Sequence, residues 1–172
     1  MNAHRPDPAE HLWARVSPQE LAKVSPYLKI KPVPIGEVAD ALGLAVVSMT
    51  LPSDVSGSIR RRADGVFEVQ VNNTDAPVRQ RFTVAHEVAH FLLHRDRIDG
   101  EGITDTILYR SRLSDRLEAE ANKLAAAILL PWFDVRTFTI TNFQEEPSIL
   151  RLDEIARAFR VSSLAVGFRF GF

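Results

Sequence analysis

RFTVAHEVAHFLLH, residues Arg81–His94, decides how the rest of the chain is read. Val84, Ala85, Val88, Ala89, Phe91, Leu92 and Leu93 make the stretch apolar on nearly every side, the pattern of a buried central helix. Within it, HEVAH puts His86 and His90 four positions apart, so both imidazoles rise from one helical face. Glu87 stands beside them. A polar stripe on a buried helix has to line a cleft or be fully paired. Two histidines that can reach one ion, with an acid close by, form the HExxH signature of zinc hydrolases. The helix is expected from about Pro77 to about Arg95.

Working outward, a catalytic zinc takes three protein ligands and leaves a position for water. The sequence contains no cysteine, which excludes thiolate ligands, disulfides and thiol catalysis. Of the remaining histidines, His4 and His11 lie in the polar amino end. His94 sits two turns beyond His86, and three ligands in line on one straight helix cannot converge on a tetrahedral ion. His94 is therefore read as a cleft residue or a support for a ligand. A second helix, capped by Ser114 and stopped by Pro131, offers Glu118 and Glu120. Glu120 lies between Arg116 and Lys123, on a charged side that reads as solvent-facing. Glu118 borders the alanine-rich face through Ala121 and Ala125, and is the candidate third ligand. Asn122, one turn on, is placed to orient a ligating imidazole. A zinc ion so held acidifies a water and polarises a scissile carbonyl. Glu87 would take the proton and deliver it to the leaving nitrogen. Tyr109, Arg110, Arg112 and His94 are the candidates for stabilising the oxyanion. No other cofactor is indicated.

The flanks supply a small sheet. Leu44 to Leu51 is rich in β-branched and apolar residues, and Ser58–Arg62 and Val66–Val71 flank Asp64-Gly65, a hairpin turn signal. An exposed edge on this hairpin could pair with an extended peptide, although a purely structural strand accounts for it equally well. Upstream, Ser17-Pro18-Gln19-Glu20 reads as a helix start, and KPVP (residues 31–34) as a joint between an amino-terminal helical extension and the main domain. A helix then follows from Ile35 and stops at Gly43. Downstream, residues 96–112 read as a loop and 132–146 as irregular, with strand character from Val135 to Thr141. Pro147–Phe159 is amphipathic, and Ser162 starts a last short helix. The fold expected is α+β: a small, mostly antiparallel sheet on the central HExxH helix and a second, ligand-bearing helix, with a helical carboxy-terminal part. Its divisions are an extension (1–31), a metallopeptidase core (32–146) and a helix-turn-helix-like segment (147–172).

Composition agrees. The 172 residues include 45% hydrophobic and 25% charged residues, with net charge −1, so the chain can build a core and has no global attraction for polyanions. No signal peptide or membrane-spanning run is evident, and a cytoplasmic protein is expected.

These motifs together resemble the ImmA/IrrE family of zinc metallopeptidases. The resemblance runs through roughly residues 32–170: ALGL, SGSIRR, the hairpin ending in VNN, RQRFTVAHEVAHFLLH, EAEANKLAAAILLP and DEIARAFRVSSLAVGFRF. It implies one Zn2+ on His86, His90 and Glu118, Glu87 as catalytic acid and base, and a thermolysin-like core. It also implies a protein substrate, a helix-turn-helix repressor cut to relieve repression, within transcription regulation and stress response. No motif of the family is identified in the first 30 residues. The chain ends soon after the last helix, so a carboxy-terminal sensor domain is not expected. Two other readings exist. One is a non-catalytic repressor-binding or toxin–antitoxin component. The other is a DNA-binding regulator using residues 152–170, although few polar readers and the neutral charge leave direct DNA binding unexpected.

Overall fold

In the computed structural model, the described residues are 6–98, 103–104 and 112–170. The central helix forms as expected, over Pro77–His94. Numbering helices in chain order, α1 is Glu10–Trp13, α2 Pro18–Val24, α3 Ile35–Ala41, α4 Pro77–His94, α5 Arg112–Leu129, α6 Trp132–Phe143, α7 Leu152–Phe159 and α8 Ser163–Phe170. The strands are β1 Ala45–Met49, β2 Gly57–Arg61, β3 Phe67–Asn72 and the two-residue β4 Ile103–Thr104. Their order across the sheet is β1-β3-β2-β4. β1 runs parallel to β3, while β2 is antiparallel to both β3 and β4. The fold is therefore α+β, with a small, mostly antiparallel sheet against the HExxH helix.

α4 starts with Pro77 in its first turn, where a missing N–H costs nothing. From Thr83 to Leu92 every residue is buried, as the all-round apolar pattern requires. β2 and β3 pack on one side of α4 and α5 on another. Each large apolar side chain in this sandwich, such as Phe91 or Leu92, stabilises the fold by about 1.5–3 kcal/mol relative to exposure. α5 approaches closely because its contact face is small: Ala121 and Ala125 are fully buried. Glycine allows the other close approach. A Cβ on Gly57 would collide with the Thr83 side chain and stand 2.7 Å from the Gln70 carbonyl oxygen. Gly57→Ala is expected to lower stability by about 1–3 kcal/mol in urea denaturation, because the β2–α4 seam cannot widen freely.

The Asp64-Gly65 turn closes the β2–β3 hairpin: Gly65 has φ 86°, and the Asp64 side chain accepts from the Val66 N–H at 3.1 Å. Arg60 and Glu68 stand opposite each other in register and are bonded at 2.7 Å. β3 has strands on both sides, so it offers no edge to a peptide, and its role is structural. Asn72 does more than end the strand. Its amide donates to the carbonyls of Leu51, Pro52 and Val55 and accepts from Thr74, holding the 51–56 turn.

Three expectations are corrected. Residues 132–143 are helical, not strand-like. Their β-branched residues favour strands in isolation, but Pro131 starts a helix and the i,i+4 pair Val135 and Thr139 buries completely, so packing overrides propensity. The Thr137 hydroxyl donates to the Phe133 carbonyl, a bond available only in a helix. Within 96–112, Ile103–Thr104 adds a short strand beside β2. α5 begins at Arg112, so Ser114 lies inside the helix rather than capping it, as the sequence had suggested; Tyr109, Arg110 and the Arg112 side chain lie outside the described residues.

Ser17 caps α2 through the Glu20 N–H, as its sequence signature indicates. Ala9, Leu12, Val16 and Val24, from the amino-terminal 31 residues, belong to the same buried cluster as the α4 and α5 side chains. Among the described residues, no single helix is long and apolar enough to cross a membrane.

Candidate metal centre

α4 and α5 lie side by side, and three of their side chains meet. His86 Nε2 is 3.0 Å from His90 Nε2. Glu118 brings one carboxylate oxygen to 3.1 Å from His86 Nε2 and the other to 3.2 Å from His90 Nε2. His86 and His90 are buried, while a third of the Glu118 side chain is exposed. The donor set is two imidazole nitrogens and a carboxylate, a set that suits a divalent metal ion such as zinc. The spacing fits too. Corners of a tetrahedron about 2.05 Å from its centre stand about 3.3 Å apart, close to the separations found here. These three residues can hold a metal ion.

The electrostatics favour the ligating protonation states. Burial pushes His90 toward its neutral form, which has a free lone pair. Burial alone would raise the Glu118 carboxyl, but its close contacts with the His86 and His90 imidazoles hold it well below the usual carboxylate range. Glu118 is therefore an anion at neutral pH.

Each imidazole is also held from behind. His86 Nδ1 is 3.0 Å from Asn122 Oδ1, so Nδ1–H donates and Nε2 keeps its lone pair for the cleft. His90 Nδ1 is 3.1 Å from His94 Nδ1, and His94 Nε2 is 3.1 Å from Glu120 Oε2. One set of tautomers satisfies the whole series: His90 donates to His94, and His94 donates to Glu120. Glu120 in turn accepts from Arg15 at 2.7 Å and from Arg116 at 2.9 Å. Burial alone would raise its carboxyl, yet bonds from Arg15, His94 and Arg116 lower it to about 2. The surface reading of Glu120 is thus corrected: its side chain is only 15% exposed and turns toward His94. The sequence did show the Arg116–Glu120 pairing. It contained no signal for Arg15, which lies 105 positions away from Glu120.

Glu87 is 1% exposed, on the same turn as His86. Beside His86 and Asn122 opens a cavity of about 330 Å³, with Phe82, Thr83, Leu164 and Phe168 in its wall. Phe82 stacks on Phe168 at 5.7 Å between ring centroids, which joins α8 to α4. α8 buries Ala165, Val166, Gly167 and Arg169, so most of its surface is committed to packing rather than left free to read a groove.

Comparison with known proteins agrees with this architecture. The model of the IrrE N-terminal-like domain, peptidase family M78, matches residues 39–170. A curated relative, the radiation response metalloprotease IrrE of Deinococcus radiodurans, is 38% identical over 73 residues, 40% of this chain and 22% of its own length. A solved structure of a Mycobacterium tuberculosis transcriptional regulator has a similar fold, with TM-score 0.57 and 16% identity, over 95% of this chain and 51% of that one. The chain thus spans about a fifth and about a half of these two relatives. With the family model covering most of its length and the His86–His90–Glu118 cluster in place, the chain belongs to the ImmA/IrrE family of metallopeptidases.

Proposed function

We propose that this protein is a zinc-dependent endopeptidase of the cytoplasm that cuts a partner protein, a helix-turn-helix transcriptional repressor, and so relieves repression. The observation that carries this reading is the convergence of His86, His90 and Glu118 next to a buried Glu87. Zinc, when bound, supplies a Lewis acid and a water of lowered pKa. The protein's own residues do the rest. Glu87 accepts the proton of the attacking water and returns it to the leaving nitrogen. The cavity walled by Phe82, Leu164 and Phe168 takes an apolar side chain of the substrate and fixes the peptide bond against His86. Asn122 and His94 position the two ligating imidazoles, and Glu120 holds His94. Residues 32–146 form the peptidase core, flanked by the extension 1–31 and the helical segment 147–172. Tyr109 remains the candidate donor to the oxyanion.

The test is direct. Zinc-loaded full-length protein, incubated with the repressor encoded by the neighbouring gene, is expected to yield one pair of fragments by mass spectrometry. The fragments should vanish on chelation and return when zinc is restored. An intact repressor under all three conditions would count against this substrate, while cleavage that survives chelation would count against the metal.

A further inference from the structure

Arg81 stands on α4, five positions before His86, and takes no part in the metal centre. Its Nε and one of its terminal nitrogens are shut off from solvent and make no hydrogen bond. Arg81 is half-buried, and leaving two of its nitrogens without water or an acceptor is costly, because the guanidinium keeps its charge under all ordinary conditions. Among the described residues, neither Arg81 nor its neighbours Arg157 and Arg160 pair with a carboxylate. All three line one cavity of about 600 Å³, between the first turns of α4 and the turn joining α7 to α8. The single carboxylate in its wall, Asp153, accepts instead from the Ser163 hydroxyl at 2.6 Å. Burial and the nearby charge of Arg160 both destabilise the Arg81 cation. Three cations facing one carboxylate in a concave site leave an excess of positive charge, the complement of an anion. Ser162 and Ser163, at the amino end of α8, line the same wall, where the helix dipole has the matching sign.

We propose that Arg81, Arg157 and Arg160 form a binding site for an oxyanion, a carboxylate or phosphate group, distinct from the metal centre. Arginine presents the planar fork that both groups accept. Two sources share this chemistry: an acidic side chain of the protein substrate, or free phosphate. The first rests on the peptidase reading. Ser162 lines both this cavity and the one against His86, so a polypeptide reaching the metal centre through the apolar cavity would carry a nearby acidic residue into the arginines.

The test is a titration of zinc-loaded, 15N-labelled full-length protein, read at the arginine Nε–H resonances. Sodium phosphate and N-acetylaspartyl amide are added separately, each against sodium chloride of equal ionic strength. At least one is expected to give a saturable shift at Arg81, and Arg81→Gln and Arg160→Gln should each weaken its binding by roughly tenfold or more. Saturation by the aspartyl amide assigns the site to a carboxylate borne on protein, and saturation by phosphate alone assigns it to the free anion. No saturable shift with either probe, or undiminished affinity in Arg160→Gln, overturns the proposal. Arg81→Gln should also melt no lower than wild type without anion, since it removes an unpaired, half-buried charge; a large drop would mark Arg81 as structural instead. None of these readouts depends on proteolysis, so failure here is separable from failure of the peptidase reading.

Discussion

Glu87→Gln is expected to reduce peptide-bond hydrolysis by about 10²–10⁴-fold while leaving zinc in place. The amide has the shape of the carboxylate but cannot take a proton from water. The three converging donors belong to His86, His90 and Glu118, so the metal should stay. Folding should hold as well, because a neutral amide at a site 1% exposed costs no more to bury than an acid. Steady-state cleavage with metal analysis on the same sample checks both halves. His90→Ala provides the contrast: it removes a donor, so zinc content itself should fall. A Glu87→Gln enzyme within twofold of wild type would show that another group handles the proton. A zinc-free one would place Glu87 in the coordination sphere.

The largest stability effect is expected away from the candidate metal centre, where α8 meets the segment before α1. Arg169 on α8 is fully buried. It donates through Nε to the Leu130 carbonyl at 2.8 Å and pairs with Asp7 at 2.7 Å, with the Trp132 ring 5.2 Å away. Burial pushes the guanidinium down from its ordinary value, and Asp7 counters that. Asp7→Ala would leave a cation in the core without its counter-charge, at a cost of about 3–5 kcal/mol. Chemical denaturation should register this as a shift in midpoint with little change in slope. Replacing both partners, as Asp7→Ala with Arg169→Met, should recover much of the loss, because no unpaired charge then remains. Equal losses in the single and double variants would mean that the pair contributes through packing alone.

The metal centre was largely legible in the chain. His86, Glu87 and His90 follow from helical spacing, which is local. Glu118 followed from asking which acid borders the alanine-rich face of α5, an argument about one helix that holds because α5 packs on α4 along that face. The Asp64-Gly65 turn and the Ser17 cap were legible for the same reason, since each depends on residues a few positions apart. The same local logic failed where packing outweighs propensity. Val135, Thr139 and their β-branched neighbours read as strand, yet they lie in a helix with its buried stripe against the core.

The sequence by itself determined the HExxH helix and pointed to the three donors that converge beside it, because these rest on periodicity and donor type within short segments. Tertiary structure alone decided what surrounds them. It turned Glu120 from the surface toward His94 and brought Arg15 to the same carboxylate. It also brought Arg81 within reach of the Arg160 charge, and buried Arg169 against Asp7. Each of these pairings joins residues far apart in the chain, and a charge acts over a few ångströms of space whatever the number of residues between.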